Sequence, residues 1–367
     1  MQRTLTVTRK RPPTDGQITL DAPATPSTRY HGSKFKLLDW IGSHLKDLDF
    51  QTVLDAFGGS GCVSHMLKRH GKQVTCNDAL RCNYLSAVAL IENDHKTLDP
   101  PTIDKLLRPQ RGRRYDDFVA RTFDDIYFLA EENRWLDVVC QNIAAVRDRF
   151  AGALAYHALF QAAIAKRPYN LFHRRNLYMR TADVARSFGN KATWDRPFDD
   201  HFRTFAAEAN AAVFDNTTRC RATHRDTLDI EGRFDLVYID PPYINANGVG
   251  VDYHGFYHFL EGLADYDRWP ERVDYASKHR RLRPIRSPWT DPKAVGAALT
   301  RLLERFADST LVMSYRSDGI PSRDELVRLM KRVKSRVDVH EPTQRYQYVL
   351  STNTRSTELL LIGTNGK

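Results

Sequence analysis

The chain has 367 residues, of which 41% are hydrophobic, and a formal net charge of +10 at pH 7. This length suits one elaborated domain or two, and the composition is typical of a soluble globular protein. No stretch is long and apolar enough to span a bilayer, and the first ten residues lack the apolar core of a signal peptide. The charge indicates either a polyanionic partner, above all nucleic acid, or only a highly soluble surface.

The cysteines argue against a disulfide framework and against a metal site. They are odd in number, scattered, and without the spacing of zinc ligands. We therefore expect reduced thiols, no bound metal and a cytoplasmic location. The five are Cys62, Cys76, Cys82, Cys140 and Cys220.

The amino-terminal region changes character near residue 28. Residues 1–27 mix Arg, Pro, Thr and Gly without periodicity, which predicts a flexible basic tail. Order is predicted from Tyr30-His-Gly-Ser-Lys34, because the apolar residues that follow recur at helical spacing. Lys34 lies in the loop before that helix, where it can bind a ligand carboxylate or carry an ordinary solvated charge.

Residues 52–61 predict a short strand and a glycine-rich turn that opens the next helix. Gly59 and Gly61 permit positive φ and a close approach of the backbone to a ligand at the helix N-terminus. The pattern is neither the dinucleotide-binding nor the P-loop fingerprint. Asp55 ends the strand, where its carboxylate can accept a hydrogen bond from a cationic amine.

A second acidic residue follows at the expected distance. Residues 72–76 predict the next strand, and Asp78 comes directly after it, about 20 residues beyond the turn. A carboxylate in this place can bind ribose hydroxyls. Together the two strands predict the nucleoside-binding half of a doubly wound sheet.

Residues 106–205 have a different composition, because strand patterns vanish and helical patterns take over. After an Ala-rich helix predicted at 151–166, arginines interleave with aromatic residues, which suits phosphate contact and base stacking. An ordinary helical insertion with core aromatic side chains and surface arginines is the alternative. The candidate DNA contacts are Arg167, Tyr169, Arg174 and Arg175.

Further strands are predicted in the second half of the chain. They lie at 219–223, 235–239, 310–314, 337–341 and 358–362. With the first two strands the count is about seven, parallel at first and ending in an antiparallel pair. The predicted fold class is therefore α/β.

The strand at 235–239 ends abruptly in Asp240-Pro-Pro-Tyr243. Two prolines cannot continue a sheet ladder, so a carboxylate and an aromatic ring are presented at the carboxyl edge. Asp240 and the Pro241 carbonyl can accept both hydrogens of an exocyclic amino group, and Tyr243 can stack on its ring. A Pro-rich turn with an incidental Asp is the alternative.

Residues 244–292 carry many aromatic residues and then a basic run at 278–286. Because the segment begins just after Tyr243, it is a candidate lid or second nucleic-acid contact. A helix that packs its aromatic side chains onto the sheet is the alternative.

Three motifs in this order resemble one known family. Tyr30-His-Gly-Ser-Lys34, Asp55-Ala-Phe-Gly-Gly-Ser-Gly61 and Asp240-Pro-Pro-Tyr243 are similar to those of the D12 class of DNA adenine-N6 methyltransferases, the Dam-like group. The resemblance spans residues 28–364. It implies S-adenosylmethionine as cofactor and a target adenine flipped out of double-stranded DNA.

The resemblance also implies cofactor contacts. Tyr30 and Lys34 match the loop that closes on the methionine part, and Asp55 matches the carboxylate that binds its amino group. Asp78 matches the ribose-binding acid, and Asp226 the acid that meets the adenine amino group. The turn between Asp55 and the helix is shaped by Phe57, Gly59 and Gly61.

For the target adenine, the resemblance implies that Asp240 and Pro241 polarise N6 and that Tyr243 stacks on the ring. Pro242 completes the catalytic tetrad, and Asp240 belongs to the cofactor-binding set as well. The segment after Tyr243 is longer than in the Dam enzymes, so its contact with DNA is left open.

The predicted architecture is a Rossmann-like class I methyltransferase with a seven-stranded mixed sheet. The catalytic domain is assigned to residues 28–105 and 206–367, and a mainly helical target-recognition insertion to residues 106–205. The predicted partner is duplex DNA, in a restriction-modification system with a separate cognate endonuclease or in a solitary methylase. Alternatives are another amino substrate, such as RNA adenine or cytosine N4, and a non-catalytic DNA-binding protein on this scaffold.

Overall fold

The computed structural model describes residues 26–182, 191–342 and 356–366. The predicted basic tail, residues 1–27, therefore lies outside the described residues except for its last two positions. Residues 183–190 of the predicted insertion lie outside them as well. No helix within the described ranges has the length and apolar character needed to cross a membrane.

One seven-stranded mixed sheet forms the centre of the described part of the chain. Its strands are β1 (Thr52–Asp55), β2 (Gln73–Asn77), β3 (Arg221–Thr223), β4 (Leu236–Ile239), β5 (Thr310–Arg316), β6 (Arg336–His340) and β7 (Glu358–Thr364). Their order is β3-β2-β1-β4-β5-β7-β6, with β7 antiparallel to both neighbours and all other pairs parallel. The predicted mixed sheet with an antiparallel end is confirmed.

The strand order reverses between β1 and β4. From β1 the chain builds outward through β2 and β3, then crosses to β4 and builds outward through β5. Ligands of open α/β sheets bind at such a point, beyond the carboxyl ends of the strands. Asp55 pairs with Tyr238 across these two strands, so Asp55 and Asp240 lie close together on that edge.

Helices cover both faces of the sheet. They are α1 (Leu38–Leu45), α2 (Cys62–Arg69), α3 (Arg81–Ala87), α4 (Pro100–Leu106), α5 (Phe118–Thr122), α6 (Ala130–Ala144), α7 (Arg149–Ala165), α8 (Tyr178–Thr181), α9 (Lys191–Asp195), α10 (Phe198–Ala212), α11 (Tyr253–Phe256), α12 (His258–Ala264), α13 (Trp269–Arg272), α14 (Val295–Arg305) and α15 (Arg323–Lys331). A π-helical turn spans Val88–Glu92, and 3₁₀ turns span Phe35–Leu37, Pro168–Asn170, Thr227–Asp229, Tyr266–Arg268 and Pro288–Thr290.

The sheet separates two hydrophobic cores. One contains side chains of α1, α2, α7, α10 and α12, and the other contains side chains of α14 and α15. The central strands are buried on both faces, as the apolar run Leu236–Ile239 illustrates. A parallel sheet needs such two-sided cover, which explains the continuous hydrophobic pattern of these strands.

The helices between β2 and β3 share the larger core with the sheet. Leu159 of α7 and Val53 of β1 belong to one continuous cluster of buried side chains. Asp148 caps α7, since its carboxylate accepts a hydrogen bond from the Ala151 N–H at 2.8 Å. The helical character expected for this region is present, while the proposed domain boundaries stay a prediction.

Residues 244–292 contribute to both the core and the sheet edge. Tyr257, Phe259 and Trp269 are fully buried, as the packing alternative predicts. Gly262 permits this packing, because a Cβ atom there would lie 1.8 Å from the Trp269 ring. Tyr253, in contrast, lines the cavities described below.

Candidate active site

Two cavities lie side by side at the carboxyl edge of the sheet. The first, of about 290 Å³, runs from the glycine-rich turn to Trp289. The second, of about 780 Å³, lies between the loop before α1 and the start of the segment after Tyr243. Asp240, Lys34 and Tyr253 line both cavities, so the cavities adjoin at these side chains.

The glycine-rich turn forms the floor of the first cavity. Gly59 and Gly61 have positive φ angles of 52° and 72°, which only glycine adopts readily. Gly58 packs so closely on β2 that a Cβ atom would lie 2.5 Å from the Cys76 sulfur. The turn therefore packs tightly against β2, which leaves space for a ligand above it at the start of α2.

Asp55 is only 1% exposed and borders the first cavity. Its Oδ2 atom accepts a hydrogen bond from the Ser64 hydroxyl at 2.7 Å, whereas Oδ1 has no hydrogen-bond partner among the described residues. Burial raises the pKa of this carboxyl to about 7, and the carboxylates of Asp240 and Asp78 add to the shift. An unpartnered buried acceptor of this kind fits a positively charged donor.

Asp78 links the turn to β2. Its carboxylate accepts hydrogen bonds from the N–H groups of Gly59 and Leu80, both at 2.8 Å, and from the Asn83 side chain at 3.1 Å. Burial raises its pKa to about 6. Asn83 also donates to the Tyr30 hydroxyl at 3.0 Å, a role that no motif in the sequence indicated.

Asp240 belongs to a compact polar cluster. Lys34 Nζ lies 2.8 Å from Asp240 Oδ2 and 3.6 Å from Glu358 Oε1. The Tyr243 hydroxyl lies 2.8 Å from Asp240 Oδ1 and 2.6 Å from Glu358 Oε1. We call Lys34, Asp240, Tyr243 and Glu358 the acid–lysine cluster.

The acid–lysine cluster fixes the charge of Lys34. Burial alone would lower the pKa of this ammonium group, but the carboxylates of Asp240 and Glu358 raise it above its ordinary value. Lys34 is therefore a cation that contacts two carboxylates of the protein, and its ammonium group also donates to the Gly32 carbonyl at 3.3 Å. Its predicted contact with a ligand carboxylate stays a prediction.

Tyr243 is almost buried, with 9% of its surface exposed. Its hydroxyl faces the two carboxylates, and the Lys34 ammonium lies 4.8 Å from its ring centre. The ring borders the second cavity beside Pro241. The contacts of the hydroxyl with Asp240 and Glu358 fix the position of this ring. Its stacking on a target base stays a prediction.

Residues from the segment after Tyr243 complete the first cavity. Tyr253 and Tyr257 both stack on Tyr30, with ring centres 5.5 Å and 4.7 Å away. At the other end, Trp289 meets the Phe57 ring edge-on at 4.9 Å. Sequence reasoning missed Tyr253 and Trp289, because only the fold brings residues 244–292 over the sheet edge.

Asp226 follows β3 and borders the same cavity. One of its oxygens accepts a hydrogen bond from the Leu228 N–H at 2.9 Å, which caps the short turn at Thr227–Asp229. The carboxylate is otherwise exposed. Its predicted contact with the adenine part of a cofactor stays a prediction.

The four candidate DNA contacts differ in position. Tyr169, Arg174 and Arg175 are exposed, and Tyr169 borders the second cavity. Arg167 is only 1% exposed, and its guanidinium donates to the backbone carbonyls of Tyr127, Leu171 and Arg174 and to the Asn176 side chain. A direct DNA contact by Arg167 does not fit this structure, because its hydrogen bonds hold the loop that presents Tyr169.

Comparison with known proteins identifies the family. The sequence pattern of the D12 class N6 adenine-specific DNA methyltransferases matches residues 30–269. The chain belongs to this family. It is thus an adenine-specific DNA methyltransferase, as the motif order predicted, and the α/β sheet is the class I methyltransferase fold.

Curated relatives agree with this assignment. The type II methyltransferase M2.HphI of Haemophilus parahaemolyticus is 29% identical over 94% of this chain and its own full length. The modification methylase StsI of Streptococcus sanguinis is 23% identical over 90% of this chain, and M.FokI of Planomicrobium okeanokoites is 26% identical over 83%. The matches cover 51% and 46% of these two longer relatives, so the chain spans about half their length.

Asp55→Asn should change the pH dependence of stability. Folding raises the pKa of Asp55 from 3.8 to about 7, so the folded protein binds this proton more tightly than the unfolded chain. The resulting stabilisation is complete below about pH 4 and is lost as the pH rises through about 7. The unfolding free energy of the wild type minus that of Asp55→Asn should therefore decrease from pH 5 to pH 8.

Urea unfolding at several pH values measures this difference. Asp324→Asn, at an exposed position in α15, is the control and should give a difference that does not vary in this way. A pH-independent difference for Asp55→Asn would contradict the assignment of Asp55 as a buried, incompletely satisfied carboxylate.

Proposed function

We propose that this chain transfers a methyl group from S-adenosylmethionine to N6 of an adenine flipped out of duplex DNA. The observation that carries this proposal is the position of Asp240, which lines both cavities at their junction. A donor in the first cavity and an amine in the second would meet beside this carboxylate. Direct transfer depends on such an alignment of the two reactants.

The residues of the first cavity fit this cofactor. S-adenosylmethionine supplies a methyl group on a positively charged sulfur. The unpartnered Asp55 Oδ1 would accept a hydrogen bond from its amino group, and Tyr30 and Lys34 would enclose its methionine end. Asp78 would bind the ribose hydroxyls, since a carboxylate in this place of the fold commonly does so.

The remaining first-cavity residues fit an aromatic base. Phe57 and Trp289 present apolar rings at one end, and Asp226 offers a carboxylate there for an exocyclic amino group. Gly59 and Gly61 would allow the backbone to approach the cofactor closely. This assignment supports a nucleoside-containing cofactor rather than a smaller methyl donor.

On the substrate side, Asp240 and the Pro241 carbonyl would accept the two hydrogens of the adenine amino group. Such bonds turn the nitrogen lone pair toward the methyl group, and the Asp240 charge stabilises positive charge that develops at N6. Pro242 keeps the chain out of the sheet, and Tyr243 offers its ring to the base. Flipping costs a few kcal/mol, which pocket contacts of this kind offset.

A covalent nucleophile is not part of this mechanism. All five cysteines are buried, and Cys62 alone among them borders the first cavity. Burial raises the pKa of the Cys62 thiol, which disfavours the nucleophilic thiolate. The amine of the substrate would therefore attack the methyl group directly.

We assign DNA contact to Tyr169, Arg174 and Arg175. Tyr169 is 56% exposed, has a φ angle of 62°, and lies beside the second cavity. A strained, exposed aromatic ring at a cavity that would hold the target base is suited to stacking on nucleic acid. The nearby Arg174 and Arg175 are exposed, and the Arg175 guanidinium pairs with the exposed Asp125 carboxylate at 2.7 Å, which a DNA phosphate would replace. Their exposure supports a target-recognition role for residues 106–205.

The relatives' names support a restriction-modification role. We infer that the chain methylates a specific duplex sequence in the cytoplasm and protects it from a cognate restriction endonuclease that acts separately. A solitary methylase is the second candidate, since the site geometry is the same for both. RNA adenine and cytosine N4 are less favoured, because the matched family is adenine-specific and acts on DNA.

Single-molecule sequencing of DNA from cells that express the chain tests the proposed activity. We expect N6-methyladenine in one short motif with the wild type and none with Asp240→Ala, because that variant lacks the acceptor for the amino group. Cofactor affinity of Asp240→Ala, measured by calorimetry, should stay within about threefold of the wild type. Asp324→Ala in α15 is the control and should methylate normally.

Soluble wild-type protein that leaves the genome unmodified would contradict the DNA substrate. Mass spectrometry of nucleosides from RNA of the same cells would then test the RNA alternative. A large loss of cofactor affinity in Asp240→Ala would instead assign Asp240 to the cofactor rather than to the amine.

Replacement of both Arg174 and Arg175 by Ala should weaken DNA binding mainly at low salt. Each lost phosphate contact reduces the slope of log K against log salt by about 0.9, so we expect a reduction of about 1 to 2. Arg328 and Lys331, exposed on α15, provide a control pair with the same change in net charge. If the slope of log K against log salt were the same for the wild type and the Arg174/Arg175 variant, these arginines would not contact DNA phosphates.

A further inference from the structure

We propose that Glu358 is a positioning residue for methyl transfer, acting on Asp240 through Lys34 and Tyr243. This inference rests on the proposed function. Nothing in the sequence motifs indicated this role, because Glu358 lies outside the matched residues 30–269. The proposal gives β7, which forms part of the sheet, a role at the active site as well.

The position of Glu358 follows from the reversed direction of β7. Glu358 is the first residue of this strand and pairs with Arg316 of β5. Because β7 is antiparallel, its first residue lies at the edge where the parallel strands end. That edge already carries Asp55, Asp78 and Asp240, so the fold places a further carboxylate there.

Glu358 closes a ring of four side chains. Its Oε1 atom lies 2.6 Å from the Tyr243 hydroxyl and 3.6 Å from Lys34 Nζ. The same two groups contact opposite oxygens of Asp240, both at 2.8 Å. Glu358 thereby holds the two groups that orient the Asp240 carboxylate, while making no contact of its own with the cavities.

The charge balance explains why a glutamate is needed. Lys34 alone would neutralise Asp240 and leave it little attraction for positive charge that develops at the substrate amine. With Glu358, two carboxylates share one ammonium group, so the acid–lysine cluster keeps a net negative charge. The Tyr243 hydroxyl has only one proton, so it can donate to only one of these two carboxylates at a time.

Stability alone does not account for Glu358. The residue is fully buried at the start of the apolar strand Glu358–Thr364, and a buried charge is costly even when it is paired. Replacement of a whole buried ion cluster by apolar side chains is often neutral or stabilising, so the burial of this carboxylate is weak evidence for a purely stabilising role. Its contacts with Lys34 and Tyr243 instead connect its charge to Asp240.

Glu358→Gln tests the proposal, because the amide keeps the shape and removes the charge. Single-turnover methylation is measured with S-adenosylmethionine and a target duplex at saturating concentrations. We expect the transfer rate to fall at least about tenfold, while the dissociation constants for cofactor and DNA change little. Glu304→Gln, exposed on α14, is the control and should transfer at the wild-type rate.

Two further variants separate positioning from a merely structural role. Tyr243→Phe removes only the hydroxyl between the two carboxylates, so it should lower the transfer rate even if Glu358→Gln fails to fold. Combining both changes should cost less than the product of the single effects, because the two residues act through one contact. Glu358→Asp, which keeps the charge, should recover part of the rate.

Wild-type transfer rates in both Glu358→Gln and Tyr243→Phe would overturn the inference and leave the proposed function intact. Fully multiplicative effects of the two changes would also overturn it. A wild-type protein that transfers no methyl group to DNA adenine would overturn the inference together with the proposed function. These outcomes are distinguishable within one set of assays.

Discussion

The burial of several carboxylates at one edge of the sheet is the constraint on which this site depends. Asp55, Asp78 and Asp240 lie together where strands β1, β2 and β4 end, and Glu358 joins them from β7. Burial raises the pKa of Asp55 to about 7, with the Asp240 and Asp78 carboxylates adding to the shift, and burial raises the pKa of Asp78 to about 6. Lys34 contacts Asp240 and Glu358, so these two carboxylates share one ammonium group. A cationic ligand at this edge would therefore be attracted by the carboxylates.

This arrangement gives the two cavities different chemical roles. The first cavity presents the incompletely satisfied Asp55 and the low glycine turn, which suit a ligand with a cationic end and a sugar. The second cavity presents Pro241 and the Tyr243 ring, which suit a flat base with an amino group. Asp240 belongs to both, and its charge acts where the two ligands would meet. The positive charge that develops on the amine during transfer would therefore be stabilised by Asp240.

Local patterns predicted most of the fold and part of the site. Buried parallel strands have continuous apolar sequences, so all seven strands were found near their observed positions, and the motifs located Asp55, Asp78 and Asp240 at strand ends. Glu358 was missed because it comes close to Asp240 only when β7 runs antiparallel beside β5. That pairing joins strands far apart in the sequence and cannot be read from a local pattern. The burial of Arg167 was not foreseen, since charge patterns do not reveal that a guanidinium group donates its hydrogen bonds to backbone carbonyls inside the protein.

A crystal structure with S-adenosylhomocysteine tests the central assignment most directly. We expect density in the first cavity, with the amino group at Asp55 Oδ1, the ribose hydroxyls at Asp78, and the sulfur facing Asp240 and the second cavity. Density for the ligand in the second cavity, or a sulfur turned away from Asp240, would contradict it. Either result would show where the sulfur that carries the methyl group in S-adenosylmethionine lies relative to Asp240.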